Sequence, residues 1–212
     1  MANYTVLGAG RLGGTLARCL AGLGHQIQVV VPTPKDPKYQ DLASVEGISM
    51  TSSVTPDRVG DLMFVATPWE VTEKALGDYD VPDGQVIVDC TNPVSYGATG
   101  MSLVIDANTS AAELIQGWLP ATKVVKTLNQ VGSDILADPA ALAPTPMIGV
   151  AADDNAAKSR VSGVLADLGV DAFDAGGLEN ARLLEAFALL WMSQAFTSGD
   201  PGAFAFGKAT RV

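Results

Sequence analysis

The chain has 212 residues, 48% hydrophobic and 17% charged, with a formal net charge of -10. That length buries one substantial core, and the composition suits a compact fold with much covered sheet rather than a disordered protein. The acidic balance excludes binding dominated by nucleic-acid phosphate. No apolar run approaches the roughly 20 residues of a membrane-spanning helix, so no membrane partner is expected. The glycine loop described next lies too near Met1 for a secretory leader, so a cytoplasmic location is expected. The two cysteines, Cys19 and Cys90, lack metal-ligand or redox spacing and read as small buried apolar residues, with no metal site implied.

In chain order, a short apolar strand at Tyr4-Thr5-Val6-Leu7 runs straight into Gly8-Ala9-Gly10-Arg11-Leu12-Gly13, then into a helix through Leu16, Ala17 and Leu20. The glycines answer three demands of a dinucleotide: a tight turn at Gly8, close approach of backbone to pyrophosphate at Gly10, and helix-to-strand packing at Gly13. The free N–H groups and positive dipole end of the helix starting near Arg11 then face the phosphates. Any tight strand-to-helix turn in a glycine-rich chain could use the same residues, but Gly24 and a second apolar strand over 27–31 complete the supporting context. His25, the single histidine, falls between that helix and strand, at the sheet end away from the glycine loop, and reads as a helix-terminal residue with no catalytic part.

After Pro32-Thr33-Pro34-Lys35-Asp36-Pro37 come a modest strand over 48–51 and a strong one over 62–66. The latter ends in Thr67-Pro68-Trp69, where proline in the first helical turn opens a helix through Val71 and Leu76. The near-continuous apolar run 86–90 predicts a strand covered on both faces, leading into Thr91-Asn92-Pro93. Ser110-Ala111-Ala112-Glu113 reads as a capping box opening a helix that stops before Pro120. A strand over 123–128 ends in Asn129-Gln130, and strands over 147–150 and 170–173 about a helix over 155–168 continue the alternation. The last helix, from 178 to about 196, is apolar almost all round from Ala186 to Met192, so it is buried in the fold or against another subunit, and a homodimer is expected. The alternation predicts an α/β fold: a Rossmann-like, doubly wound, mostly parallel sheet with helices on both faces and a C-terminal helical extension. One NAD(P)-binding domain over 1–212 is expected, with a core over about 1–150 and an extension over about 151–212.

In open parallel sheets ligands bind beyond the carboxyl ends of the strands, near the switch in strand order. The turns at 8–13, 32–35, 67–69, 91–93 and 128–130 all fall at such ends. Candidate cofactor contacts are therefore Gly8, Ala9, Gly10, Arg11, Leu12, Gly13, Thr33, Lys35, Thr67, Pro68, Trp69, Asn92, Pro93, Leu128 and Asn129. The bland alternatives are a helix start with a packing indole at Thr67-Pro68-Trp69 and a plain turn at Asn92-Pro93. An NAD site carries an acid about 20 residues past the glycines. Here 30–34 is apolar apart from Thr33, and the first acid, Asp36, lies beyond Lys35. Thr33, Lys35 and Lys38 stand where a 2′-phosphate would be met, so NADP is expected, with NAD as the alternative; Arg11 either assists a phosphate or crosses solvent. Alcohol and hydroxy-acid dehydrogenases need a positioned proton donor or acceptor, and none of the tyrosines has a lysine four residues on. No catalytic acid or base is expected; hydride transfer to another redox ring, with the protein stacking the two rings, suits such a site. Asn129 and Thr67 are the candidate polar contacts to the reacting ring or its carboxamide, helix capping being their structural alternative.

Taken together and in order, the glycine loop, Thr67-Pro68-Trp69-Glu70, Asp89-Cys90-Thr91-Asn92-Pro93, Lys123-Val124-Val125-Lys126-Thr127-Leu128-Asn129 and Asp174-Ala175-Gly176-Gly177-Leu178-Glu179-Asn180-Ala181-Arg182 resemble the NADP oxidoreductases dependent on coenzyme F420, a 5-deazaflavin. The fold of that family also resembles the cytosolic domain of six-transmembrane metalloreductases. The resemblance implies NADPH over the glycine loop and against 67–69. It implies a deazaflavin near Asn92-Pro93, 128–130 and the C-terminal segment, with hydride passing between nicotinamide C4 and deazaflavin C5. Two departures stand out: Val31-Pro32-Thr33 replaces the Ser-Arg pair typical of members that favour NADP, and 199–212 offers only Lys208 and Arg211 as cations for an anionic deazaflavin tail. Other readings are reduction of a flavin, a quinone or a small imine or enone. A different class is a non-catalytic dinucleotide sensor or interaction module whose apolar C-terminal helix meets a partner.

Overall fold

The computed structural model describes residues 1–55, 59–97, 100–199, 204–209 and 211. The first half contains β1 (Asn3–Leu7), α1 (Arg11–Gly22), β2 (Gln26–Val30), α2 (Gln40–Ala43), β3 (Ile48–Thr51), β4 (Leu62–Val65), α3 (Trp69–Gly77) and β5 (Val86–Asp89). A small hairpin follows, β6 (Val94–Gly97) and β7 (Gly100–Leu103). Then come α4 (Ala111–Trp118), β8 (Lys123–Lys126), α5 (Ser133–Ala137), β9 (Met147–Ala151), α6 (Asn155–Asp167), β10 (Asp171–Gly176) and α7 (Ala181–Ser198). The main sheet has eight strands in the order β10-β9-β8-β5-β4-β1-β2-β3. From β3 to β8 every neighbouring pair is parallel. Every residue of β4 and β5 is buried, because helices cover both faces and leave no solvated side for a polar alternation.

Chain order reverses beside β1: the chain moves outward through β2 and β3, then returns to β4 on the other flank of β1. This is the switch point at which an open α/β sheet leaves a crevice beyond its strand ends. One apolar layer joins Leu16 and Leu20 of α1, Val161 and Leu165 of α6, and Phe64 and Val88 of the sheet. The other sets Leu76 of α3 and Ile115 of α4 against Met63 and Ile87. Ala181 belongs to the second layer, whereas Ala188, Trp191 and Ala195 belong to the first. Helix α7 thus passes from one face to the other across the ends of β5 and β8.

The alternation stops being parallel at β9. Strands β9 and β10 are parallel to each other, but β9 meets β8 antiparallel through Lys126 and Ala151. The hairpin β6–β7 is a further addition to the sequence expectation; its four-residue strands carry mostly exposed residues and so lack a readable alternation. Pro68 caps α3 from outside the first turn, and the expected last helix is split into a short 3-10 turn at Leu178–Asn180 followed by α7. Among the described residues, no helix is long and apolar enough to cross a membrane.

Candidate active site

The glycine loop meets its three steric demands at three different places. Gly8 has φ +100 and a Cβ there would stand 2.8 Å from the Ala66 carbonyl oxygen; at Gly13 it would lie 2.2 Å from the Gly8 carbonyl oxygen. At Gly10 it would meet nothing within 4 Å, so the space a side chain would fill lies open. Gly10 is the N-cap of α1, offers no side-chain cap, and the first turn holds no acid. The first N–H groups therefore have no partner inside the helix, and the positive helix end is left for an anion.

Beside this loop lies a cavity of about 700 Å³ between the ends of β1, β2 and β4 and one face of α3. That is within the range of cofactor sites. Gly8, Ala9 and Gly10 form its floor, Val31 and Pro32 one side, and Thr67, Pro68 and Val71 the other. The far end is walled by Lys38, Tyr39, Lys74, Asp78 and Tyr79. Lys38 lies 4.8 Å from the Tyr39 ring centroid and 3.2 Å from Asp36. The Lys38 backbone N–H, then its ammonium, holds the Asp36 carboxyl below its ordinary range. Lys74 is paired with Asp78 at 2.7 Å. The residues present fit a dinucleotide: an anion cradle, an apolar trough, and a cation at the end where a ribose phosphate would lie.

Thr33 and Lys35 are exposed and do not line this cavity; Lys38, three residues beyond Lys35, does. Trp69 leaves the cleft to stack on Trp118 at 5.5 Å and 20°, as a packing indole would. The Thr67 hydroxyl is shared with Thr72 at 2.8 Å, and Thr72 donates to the Pro68 carbonyl at 2.9 Å, tying the turn to α3. Arg11 crosses solvent to pair with Asp134 at 2.9 Å, both side chains being well exposed. Beneath that pair a groove of about 170 Å³ runs between Leu12, 132–134 and the rings of Trp191 and Phe196.

At the ends of β5 and β8, Asn92 and Asn129 exchange hydrogen bonds: Asn92 Nδ2 donates to the Asn129 carbonyl at 2.8 Å, and Asn129 Nδ2 to Asn92 Oδ1 at 3.1 Å. Asn129 Nδ2 also donates to the Leu184 carbonyl at 3.2 Å, and its Oδ1 accepts from Gln130 Nε2. Both amide protons are thereby committed to the protein, which leaves only a lone pair on Oδ1 for a ring. Pro93 and Leu128 are buried beside them. Sequence reasoning missed the neighbouring buried charges, Lys126, Asp89 and Glu185. The signal was there: Asp89 and Lys126 each end an otherwise apolar run, and they are register partners. Burial pulls the Lys126 ammonium down, but Asp89 and Glu185 outweigh it and hold its pKa above the ordinary lysine value. Burial pushes the Glu185 carboxyl up.

His25 sits at the opposite sheet end, its Nδ1 accepting from the Ala2 N–H at 3.2 Å. Burial pushes the thiols of Cys90 and Cys19 up, which suits packing and disfavours reactivity.

The fold and the cleft define a Rossmann-type dinucleotide-binding protein. Residues 3–93 match the family described as "NADP oxidoreductase coenzyme F420-dependent". A proposed F420-dependent NADP reductase from Arthrobacter sp. FB24 superposes with a TM-score of 0.87 at 27% identity, over 99% of this chain and 100% of that one. A hypothetical protein of Sinorhizobium meliloti gives 0.69 at 21%, over 85% and 88%. A reductive aminase from Aspergillus terreus, in complex with NADPH, gives 0.66 at 18%, over 94% of this chain and 63% of that one; this likeness is one of fold. No curated protein matches the chain significantly. The family match and the Arthrobacter structure bear out the resemblance read from the sequence, and with it the class, an NADP-dependent oxidoreductase.

Proposed function

We propose that the protein transfers hydride between NADPH and a planar redox acceptor, foremost the 5-deazaflavin coenzyme F420, in the cytoplasm and as a homodimer. The observation that carries this reading is the open cradle at Gly10 beside the cavity of about 700 Å³, together with the family match over 3–93. When bound, the cofactor supplies the reducing hydride at nicotinamide C4. The chain's own part is binding and alignment. The amides of α1's first turn hold the diphosphate, Pro32 and Val71 flank the trough, and Lys38 meets the 2′-phosphate in place of the missing Ser-Arg pair. The groove under Arg11 and Asp134, with Trp191 and Phe196 as its apolar wall, takes one edge of the acceptor ring beside the glycine loop. The titratable groups that line that groove, Arg11 and Asp134, are paired with each other, and the buried Lys126, Asp89 and Glu185 are bound to one another. The reading assigns none of them a proton-transfer role, and ring alignment carries the reaction.

The test is to mix purified protein, NADPH and coenzyme F420 and follow the deazaflavin absorbance. Loss of that absorbance with matching NADPH consumption is expected. NADPH binding without turnover would overturn the acceptor and favour a second reading, reduction of a neutral flavin, quinone, imine or enone. One observation favours that alternative: Arg11, the cation at the groove, is already paired with Asp134, which leaves little charge there for an anionic tail.

A further inference from the structure

Lys126 Nζ donates to Asp89 Oδ2 at 2.9 Å and to the Thr91 carbonyl at 2.7 Å, and it stands 2.9 Å from Glu185 Oε1. All three ammonium protons are thus committed, and none of the three side chains exceeds 1% exposure. Glu185 in turn accepts the Ala111 N–H through both oxygens, at 2.9 and 3.2 Å, at the first turn of α4. The positive end of that helix favours the carboxylate. One cluster therefore ties together β5, β8, α4 and α7. Three residues further along each strand comes the Asn92–Asn129 clasp, whose third bond reaches Leu184, the neighbour of Glu185. Between the two clasps lies Leu128, fully buried and at φ 60, the one non-glycine residue with positive φ among those described. A bulky residue keeps that conformation only where its surroundings over-determine it, and such outliers gather at functional sites.

Stability alone gives no reason for this arrangement, since a well-packed apolar plug often holds a fold as firmly as buried charges do. What the charges and amides add is direction: they fix one path for the chain as it leaves β8. We propose that Lys126 is a positioning residue for the reacting end, locking the left-handed turn at Leu128 and so the course of the chain into residues 132–134, which line the groove proposed for the acceptor ring. The proposal rests on the hydride-transfer reading and concerns the acceptor half of the site. The dinucleotide cleft lies on β1, β2, β4 and α3.

Glu185→Gln keeps the side chain's shape and an acceptor for Ala111 while removing one buried charge. In the folded variant, NADPH affinity measured by fluorescence titration stays unchanged. Amide hydrogen exchange at 127–130 quickens, and single-turnover transfer from NADPH to coenzyme F420 slows by about tenfold or more, as misaligned reactants do. Asn92→Ala opens the second clasp without stranding a charge and is expected to act in the same way, which covers the case of Glu185→Gln failing to fold. Wild-type exchange and wild-type transfer in a folded variant, whatever its thermal stability, overturn the proposal. Should the wild type itself not reduce coenzyme F420, the acceptor reading falls, and the exchange measurement alone still decides whether the cluster locks the turn.

Discussion

A methyl group at Gly10 would meet no heavy atom within 4 Å, whereas at Gly13 it would land 2.2 Å from a carbonyl oxygen. The two substitutions therefore separate binding from folding. Gly10 has φ -70 and ψ -170, open to any residue, so Gly10→Val is expected to melt like the wild type while losing NADPH binding by calorimetry. If the protein were only a scaffold, that variant would keep its partner and lose just the nucleotide. Gly13→Ala is expected to unfold more easily in urea, by roughly 1–3 kcal/mol, the usual cost of overpacking. Lys38 tests the phosphate end. Lys38→Ala should weaken NADPH several-fold and leave NADH unchanged in parallel titrations, because the 2′-phosphate proposed to meet it exists only on the phosphorylated cofactor.

Helix α4 begins with the expected Ser110 cap, the Glu113 N–H donating to Ser110 Oγ at 3.1 Å, while the Glu113 carboxylate takes the Ser110 hydroxyl at 2.7 Å, a side-chain bond and not the backbone half of a capping box. The fold adds a partner from far along the chain: Arg182 Nε donates to Glu113 Oε2 at 2.8 Å, pinning α4 to the start of α7. The Arg182 guanidinium, helped by Ser110, holds the Glu113 carboxyl below its ordinary value of 4.5. A depressed carboxyl means that the unfolded chain binds the proton more readily, so the pair's contribution is complete above pH 4.5 and fades as pH falls through the folded value. The stability gap between wild type and Glu113→Gln is accordingly expected at pH 7 and to narrow in urea titrations towards pH 4. The pair is partly exposed, so solvent screening keeps that gap to about 1 kcal/mol or less. Ser110→Ala removes the cap and is expected to cost about 1 kcal/mol.

Across the whole molecule, residues of the expected core and of the expected extension share one apolar layer: Leu16 and Phe64 pack in the same cluster as Val161, Leu165 and Trp191. A single cooperative unfolding transition, coincident by fluorescence and circular dichroism, is expected. The outer side of α7 carries Leu183 at 67% and Leu190 at 52% exposure, with exposed Ala186 between them. A second copy suits this stripe. Two such helices crossing antiparallel about a twofold axis would set Leu183 against the partner's Leu190, with the small Ala186 near the centre. Light scattering should report a dimer, and Leu190→Glu a monomer that still binds NADPH.

What the residues determined unaided is local. The glycine loop, the strand runs 62–66 and 86–90, and the Ser110 cap are each decided by neighbours in sequence, through backbone sterics and hydrophobic period, and so they can be read in order along the chain. Only tertiary structure decided that Lys38 would wall the cofactor cleft while Lys35 stays outside, that Trp69 would turn to Trp118, and that β9 would run against β8. It alone brought Lys126 to Asp89 and Glu185 and bent Leu128 into a left-handed turn. Those outcomes depend on groups tens of residues apart, whose pairing is favourable only once the sheet has buried them together and removed the water that would otherwise satisfy each one separately.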